Sequence, residues 1–166
     1  MLIKKNLFSP GKLNYARGER PDVECILCSV LKNDEKVDRL IVYKGKLLYI
    51  TLNLYPYNPG HIMIFPARHI IDPRELTEKE WSEFYILQNL SLNVLDAVYS
   101  PKGYNLGFNI GHSAGGSINH IHFHIVPRYK NEIGFIETIT DGRIIVENPA
   151  QTRKKLIKEF KKQNFY

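Results

Sequence analysis

Residues 120–127 read His120-Ile121-His122-Phe123-His124-Ile125-Val126-Pro127, three histidines alternating with apolar residues. A period of two is that of a β-strand, whose successive side chains point to opposite faces. His120, His122 and His124 then share one face, about 6.6–6.8 Å apart along the chain. Ile121, Phe123 and Ile125 take the other face and can bury. The pattern predicts a polar, solvent-facing wall of imidazoles backed by an apolar one. Incidental surface histidines would not repeat in this way. A row of imidazoles matters because the group is a nucleophile and an acid–base group near neutral pH.

Immediately upstream lies Gly111-His112-Ser113-Ala114-Gly115-Gly116-Ser117. It lacks the lysine and spacing of a P-loop. Its small residues, Gly115 and Gly116 among them, still let backbone N–H groups approach an anion closely, with a hydroxyl from Ser117 and an amide from Asn109. Such a loop alone is usually a turn; leading straight into three histidines, it becomes an oxyanion pocket. His122 is the central imidazole, and a neutral histidine attacks phosphorus when its other ring nitrogen donates to a carbonyl. His124 and the loop donors are placed to stabilise charge on the equatorial oxygens. No paired carboxylates lie nearby to hold magnesium.

All six histidines fall between positions 61 and 124. His61 opens a strand that can lie beside the triad strand, and His69 follows in the next loop. The two cysteines, Cys25 and Cys28, have Cys-x-x-Cys spacing. A thioredoxin-like redox pair expects a strand leading in, whereas Gly18-Glu19-Arg20-Pro21-Asp22 is a loop. A metal knuckle needs two further ligands, and His69 and His120 are the candidates. On residues alone this stands beside the plainer reading of two reduced cysteines that merely pack. A zinc ion with four protein ligands would be structural, because catalytic zinc keeps a position open for water.

The rest of the chain frames these residues. Leu40–Tyr43 and Leu47–Leu52 read as strands of a hairpin across Lys44-Gly45-Lys46, and His61–Phe65 as a third strand stopped by Pro66. Thr77-Glu78-Lys79-Glu80 has capping-box form. Phe84, Leu87, Leu90, Val94, Leu95 and Val98 follow at helical steps until Ser100-Pro101-Lys102-Gly103. Trp81, Phe84 and Tyr85 are expected in the core. Tyr104–Ile110 reads as a fourth strand, and Phe135–Ile139 and Arg143–Val146 as short late strands. Residues 150–166 form an amphipathic helix with a basic outer face. Antiparallel strands with one dominant helix and this C-terminal helix make the chain α+β.

The 166 residues suit one domain over 1–166, with residues 1–22 as an irregular arm. The net charge of +6 suits polyanionic ligands. A nucleic-acid binder is disfavoured, because no basic patch is interleaved with aromatics. No apolar run reaches the ~20 residues of a membrane span, and no leader-type apolar segment opens the chain. A cytoplasmic protein is expected.

The run His120 to Val126, with Ala114-Gly115-Gly116-Ser117 before it, Asn109, and Gly60-His61 separated by seven residues from His69, resembles the histidine triad (HIT) family over nearly the whole chain. The resemblance implies a sheet of about five antiparallel strands, usually paired into a homodimer. It implies His122 as the nucleotidyl-accepting nucleophile and His124 as a phosphate contact. Asn109 and Ser117 match contacts to the phosphate and its leaving atom. Asn53 stands where many members place an acidic residue on the ribose. In members with the cysteine pair, Cys25, Cys28, His69 and His120 complete a zinc site. Leu52 to His61, Leu7-Phe8-Ser9-Pro10 with Tyr15, and the tail around Phe135 and Arg143 are similar to the diadenosine tetraphosphate phosphorylase-like branch. The implied activity is cleavage of dinucleoside polyphosphates through a nucleotidyl-His122 intermediate released by phosphate or water. The alternatives are a phosphoramidate hydrolase and a non-catalytic nucleotide-binding module.

Overall fold

The computed structural model describes residues 21–130 and 147–163. The element order is α1 (Ile26–Lys32), β1 (Ile41–Lys44), β2 (Leu48–Leu52), β3 (Ile62–Pro66), α2 (Glu78–Tyr99), β4 (Gly103–Phe108), β5 (Phe123–Arg128) and α3 (Pro149–Gln163). The five strands form one sheet in the order β1-β2-β3-β5-β4. Every neighbouring pair is antiparallel. The α+β expectation therefore holds. The segments 1–20 and 131–146, with the expected late strands at 135–139 and 143–146 and the quoted Leu7–Pro10, Phe135 and Arg143, lie outside the described residues.

Period-two alternation gives the sheet two unlike faces. Leu48, Ile50 and Leu52 of β2, Ile62 and Ile64 of β3, and Phe123 and Ile125 of β5 join one apolar cluster with Phe84, Leu87, Val94 and Leu95 of α2 and Leu156 and Phe160 of α3. Both long helices thus cover the same face. On the other face Met63 stands opposite His124. Thr77 caps α2, its side chain accepting from the Glu80 N–H while the Glu80 carboxylate accepts from the Thr77 N–H, as the capping box requires. The buried Glu80 also takes both arms of Arg68, with Nε–Oε1 and Nη2–Oε2 each at 2.8 Å. That pair anchors the loop carrying the adjacent His69 to the start of α2.

Several local expectations shift. Phe84 is buried, but Trp81 and Tyr85 of the same turn are exposed, because the apolar stripe meeting the sheet is narrower than the aromatic cluster suggested. Pro66 does not stop β3 before it; it is the last paired residue, opposite Leu48. Pro127 lies inside β5, beyond the last β3 partner at Ile125, so no ladder hydrogen bond is lost on that side. Its carbonyl accepts from Asn58 Nδ2 at 2.7 Å. The basic C-terminal helix docks as expected, with Leu156 and Phe160 buried, Phe160 against Tyr43, and Lys154, Lys158, Lys161 and Lys162 exposed.

Candidate active site and metal centre

The triad is buried, not solvent-facing: His120, His122 and His124 are 1%, 5% and 8% exposed. Helix α1 and the connection after it cover that face of the sheet. Leu27, Val30, Val37 and Leu40 line a cavity together with His122 and His124. The strand begins only at Phe123; His120–His122 lead into it from a bend at His120, and the Ile121 N–H donates to the Ile70 carbonyl at 2.7 Å. The alternation survives in this lead, so the imidazoles still share a face.

Each imidazole has one ring nitrogen committed elsewhere, and the partners assign the tautomers. His120 Nε2–H donates to the Pro66 carbonyl at 3.0 Å, which turns a bare Nδ1 toward the cysteines. His122 Nδ1–H donates to the His120 carbonyl at 2.7 Å, which leaves Nε2 with its lone pair. His61 Nδ1 accepts from the Tyr57 N–H at 3.1 Å, so its Nε2–H donates to His124 Nδ1 at 2.9 Å. The proton of His124 is then on Nε2, which faces the Asn109 side-chain amide at 3.5 Å, and the amide oxygen is the end that accepts from it. The triad therefore presents an uncharged acceptor nitrogen at His122 beside an N–H donor at His124, with ring centroids 4.8 Å apart.

Burial keeps these rings neutral. It pushes His61 down to about 3, helped by the neighbouring His124 and His122, and pushes His124 down to about 4, with His122 adding. His122 is also lowered by burial, although its bond to the His120 carbonyl opposes the shift.

The cavity at His122 and His124 has a volume of about 320 Å³. The expected residues Asn53, Asn109, Gly115 and Ser117 line it too. Gly116 and His61 do not. Gly116 borders an adjoining cavity, and a Cβ there would meet the Gly111 and Asn109 carbonyls at 2.9 and 3.0 Å, so only glycine fits the close turn. His61 stands behind His124 and stacks on Tyr57 at 5.0 Å. Of the aliphatic and aromatic lining, Leu54, Tyr55 and Tyr57 fall in the Leu52–His61 stretch quoted for the resemblance but were given no role, and Met63 was not singled out. Apolar residues there read as ordinary core or turn, and only the Tyr55-Pro56-Tyr57 run carried any signal.

The four candidate metal ligands meet. The ligand atoms of Cys25, Cys28, His69 and His120 all lie within 4.8 Å of one another. Cys25 Sγ–His120 Nδ1 and Cys28 Sγ–His69 Nδ1 are both 3.4 Å, and Cys28 Sγ–His120 Nδ1 is 3.6 Å. A tetrahedron with ordinary zinc–sulfur and zinc–nitrogen bonds has mixed edges of about 3.5 Å. The Pro66 carbonyl behind His120 is the kind of outer partner that orients a ligating imidazole. Burial, ahead of the hydrogen bond that the Cys28 thiol donates to Cys25, pushes Cys28 up to about 11, opposite to the low value of a redox-active pair. Donor set, spacing and backing fit a tetrahedral metal ion.

Residues 34–131 match the model of the HIT domain. The chain belongs to the HIT family. Its sequence is 41% identical over 125 residues to an AP-4-A phosphorylase of Mycobacterium tuberculosis, covering 75% of this chain and 64% of that protein. The chain thus spans just under two thirds of that relative's length. It is 32% identical over 90 residues to an asymmetrical bis(5'-nucleosyl)-tetraphosphatase of Schizosaccharomyces pombe, covering 54% of this chain and 50% of that one. Its fold is that of a zinc-bound histidine triad family protein from Mycobacterium smegmatis, with a TM-score of 0.68 at 18% identity over 84% of this chain and 94% of that one. A hypothetical histidine triad nucleotide-binding protein from Sulfolobus tokodaii gives 0.69 at 24% identity, over 83% and 93%.

The buried imidazoles have a measurable consequence. An unfolded histidine protonates near 6.5, whereas His61 and His124 resist protonation to about 3 and about 4. Between those values the unfolded chain binds more protons, so stability is complete above the unfolded pKa and is lost as pH falls toward the folded ones. The melting temperature is expected to fall between about pH 7.5 and about pH 4.5, and less steeply in His61→Gln, as followed by circular dichroism. Identical slopes would remove His61 as a source of the effect.

Proposed function

We propose that the protein cleaves dinucleoside polyphosphates such as diadenosine tetraphosphate, by nucleotidyl transfer through His122. The observation that carries this reading is the 2.7 Å bond from His122 Nδ1–H to the His120 carbonyl, which leaves Nε2 as an uncharged nucleophile on a cavity wall. The likeness to an AP-4-A phosphorylase supports the substrate class. The apolar part of the cavity suits a nucleobase, and Asn53 at its edge suits ribose hydroxyls.

In the first step the Nε2 lone pair attacks the phosphorus nearest the bound nucleoside. A P–N bond forms and the P–O bond to the next phosphate breaks, its electron pair leaving with the departing nucleotide. His124 Nε2–H, Asn109 and Ser117 donate to the oxygens on which charge builds. His61 acts as a positioning residue, since its bond to His124 Nδ1 keeps the proton on the donating side. In the second step an oxygen of phosphate or water attacks the same phosphorus, the P–N bond breaks, and its pair returns to Nε2. Two in-line displacements retain configuration.

Incubation with diadenosine tetraphosphate is expected to yield ADP and ATP when inorganic phosphate is the acceptor, or AMP and ATP when water is. His122→Ala should still bind nucleotide but lose turnover by more than about 10³-fold. Turnover that survives this substitution would end the proposal.

We assign zinc to Cys25, Cys28, His69 and His120. With four protein ligands it would be structural, tying α1 to the start of the triad. The purified protein is then expected to hold about one zinc per chain by mass spectrometry. Cys28→Ser should lose the metal and lower the melting temperature. Full stability without metal would refute this.

We further propose a homodimer across β4. Among the described residues this strand is one of the two edges of the sheet, and an edge can pair with its own copy about a two-fold axis. Leu106 and, at the end of the strand, Ile110 are 43% and 50% exposed. Trp81, exposed on α2, joins the same surface through its edge contact with Phe108. Sedimentation is expected to show a dimer that Leu106→Asp converts to monomer; a monomeric parent chain rules it out.

A further inference from the structure

A second cavity, of about 460 Å³, adjoins the first. Pro21, Ile26, Asn109, Ser117 and Ile118 line both, so the wall between them carries two of the groups assigned to the phosphoryl oxygens. The steps above use only the His122 side of that wall. A dinucleoside polyphosphate has two nucleosides, and the first cavity, at about 320 Å³, is of a size for one.

We infer that the second cavity holds the departing nucleoside of the substrate, with Glu24 accepting from its ribose hydroxyls and Ile71 and Ile118 receiving its base. This rests on the reading of His122 given above and adds the binding site of the leaving half. The side chains of the cavity sort by chemistry. Glu24 is an acceptor-only carboxylate, suited to a vicinal diol and repelled by phosphate. The anionic chain therefore runs past the Gly111–Ser117 turn, and the neutral nucleoside end comes to Glu24. Ile71 is 52% exposed, a large apolar side chain at the cavity edge that a stacked base would cover. His112 and Asn119 also line this cavity and can donate to phosphate or sugar oxygens.

The test uses two ligands that share the reacting nucleotide and the phosphate chain: diadenosine tetraphosphate, and adenosine 5'-tetraphosphate, which lacks the second nucleoside. Both are titrated calorimetrically into the full-length His122→Ala chain, which consumes neither. The dinucleotide is expected to bind at least about tenfold more tightly, which is about 1.4 kcal/mol. The ratio of the two affinities should fall to about two or less when Glu24→Gln or Ile71→Asp is added. Glu24→Gln keeps the shape of the side chain, so it serves if Ile71→Asp fails to fold. Equal affinities for the two ligands in the parent, or a ratio that survives both substitutions, overturns the inference while leaving the His122 reading intact. Binding of neither ligand overturns both.

Discussion

The site depends on how backbone carbonyls and a neighbouring imidazole use up one nitrogen of each triad ring. The three side chains are chemically identical and lie within five residues of one another. Pro66 takes the Nε2–H of His120, the His120 carbonyl takes the Nδ1–H of His122, and His61 supplies a proton to Nδ1 of His124. What remains is a lone pair aimed at two thiols, a lone pair on a cavity wall, and an N–H donor beside it. The difference in role comes from hydrogen bonding, since sequence period alone makes the three equivalent.

These assignments persist only where the rings stay neutral, which is why burial matters. In water each imidazole would exchange tautomers and protonate near neutral pH. Under α1 a charged ring is disfavoured, and a ring nitrogen without a partner would cost about 1–3 kcal/mol. The chain meets that requirement closely: among the described residues, Ser91 Oγ is the buried side-chain polar atom left without a partner. It sits on α2, on the opposite side of the sheet from the triad. Apart from His122 Nε2, which faces the cavity, the polar groups under α1 are thus satisfied by one another and by the backbone.

The sequence made the shared face of the triad legible, because a period of two survives even where the strand has not yet begun at His120. The capping box at Thr77 and Glu80 was equally plain, since it is local. The burial of the triad was not, because what covers it is α1, nearly a hundred positions upstream of His120. Nor were the walls of the cavity. Leu27, Val30, Val37 and Leu40 are apolar residues that a core would also use, and only the fold shows that they face a space. The metal ligands fall between. Cys25 and Cys28 announce a knuckle, but the choice of His69 and His120 needed either a known relative or the sheet that brings them together. Trp81 and Tyr85 misled for the converse reason: aromatic character predicts burial, yet helix α2 leaves Trp81 half-exposed against Phe108 and turns Tyr85 to solvent.

The four candidate metal ligands and the two cavities have α1 as their common part. Seven residues are too few for a helix to hold itself together in water. Its place is set by Leu27 and Val30, which bury against the first cavity, and by the two cysteines at its start. Cys25 also lines the second cavity, and Ile26 lines both. A cation joining Cys25 and Cys28 to His69 and His120 would therefore fix, at one point, the walls of both cavities and the entry of the chain into the triad. Four ligands need not touch substrate to govern its binding. With a metal bound, they would act by holding α1 where it walls the cavity beside His122.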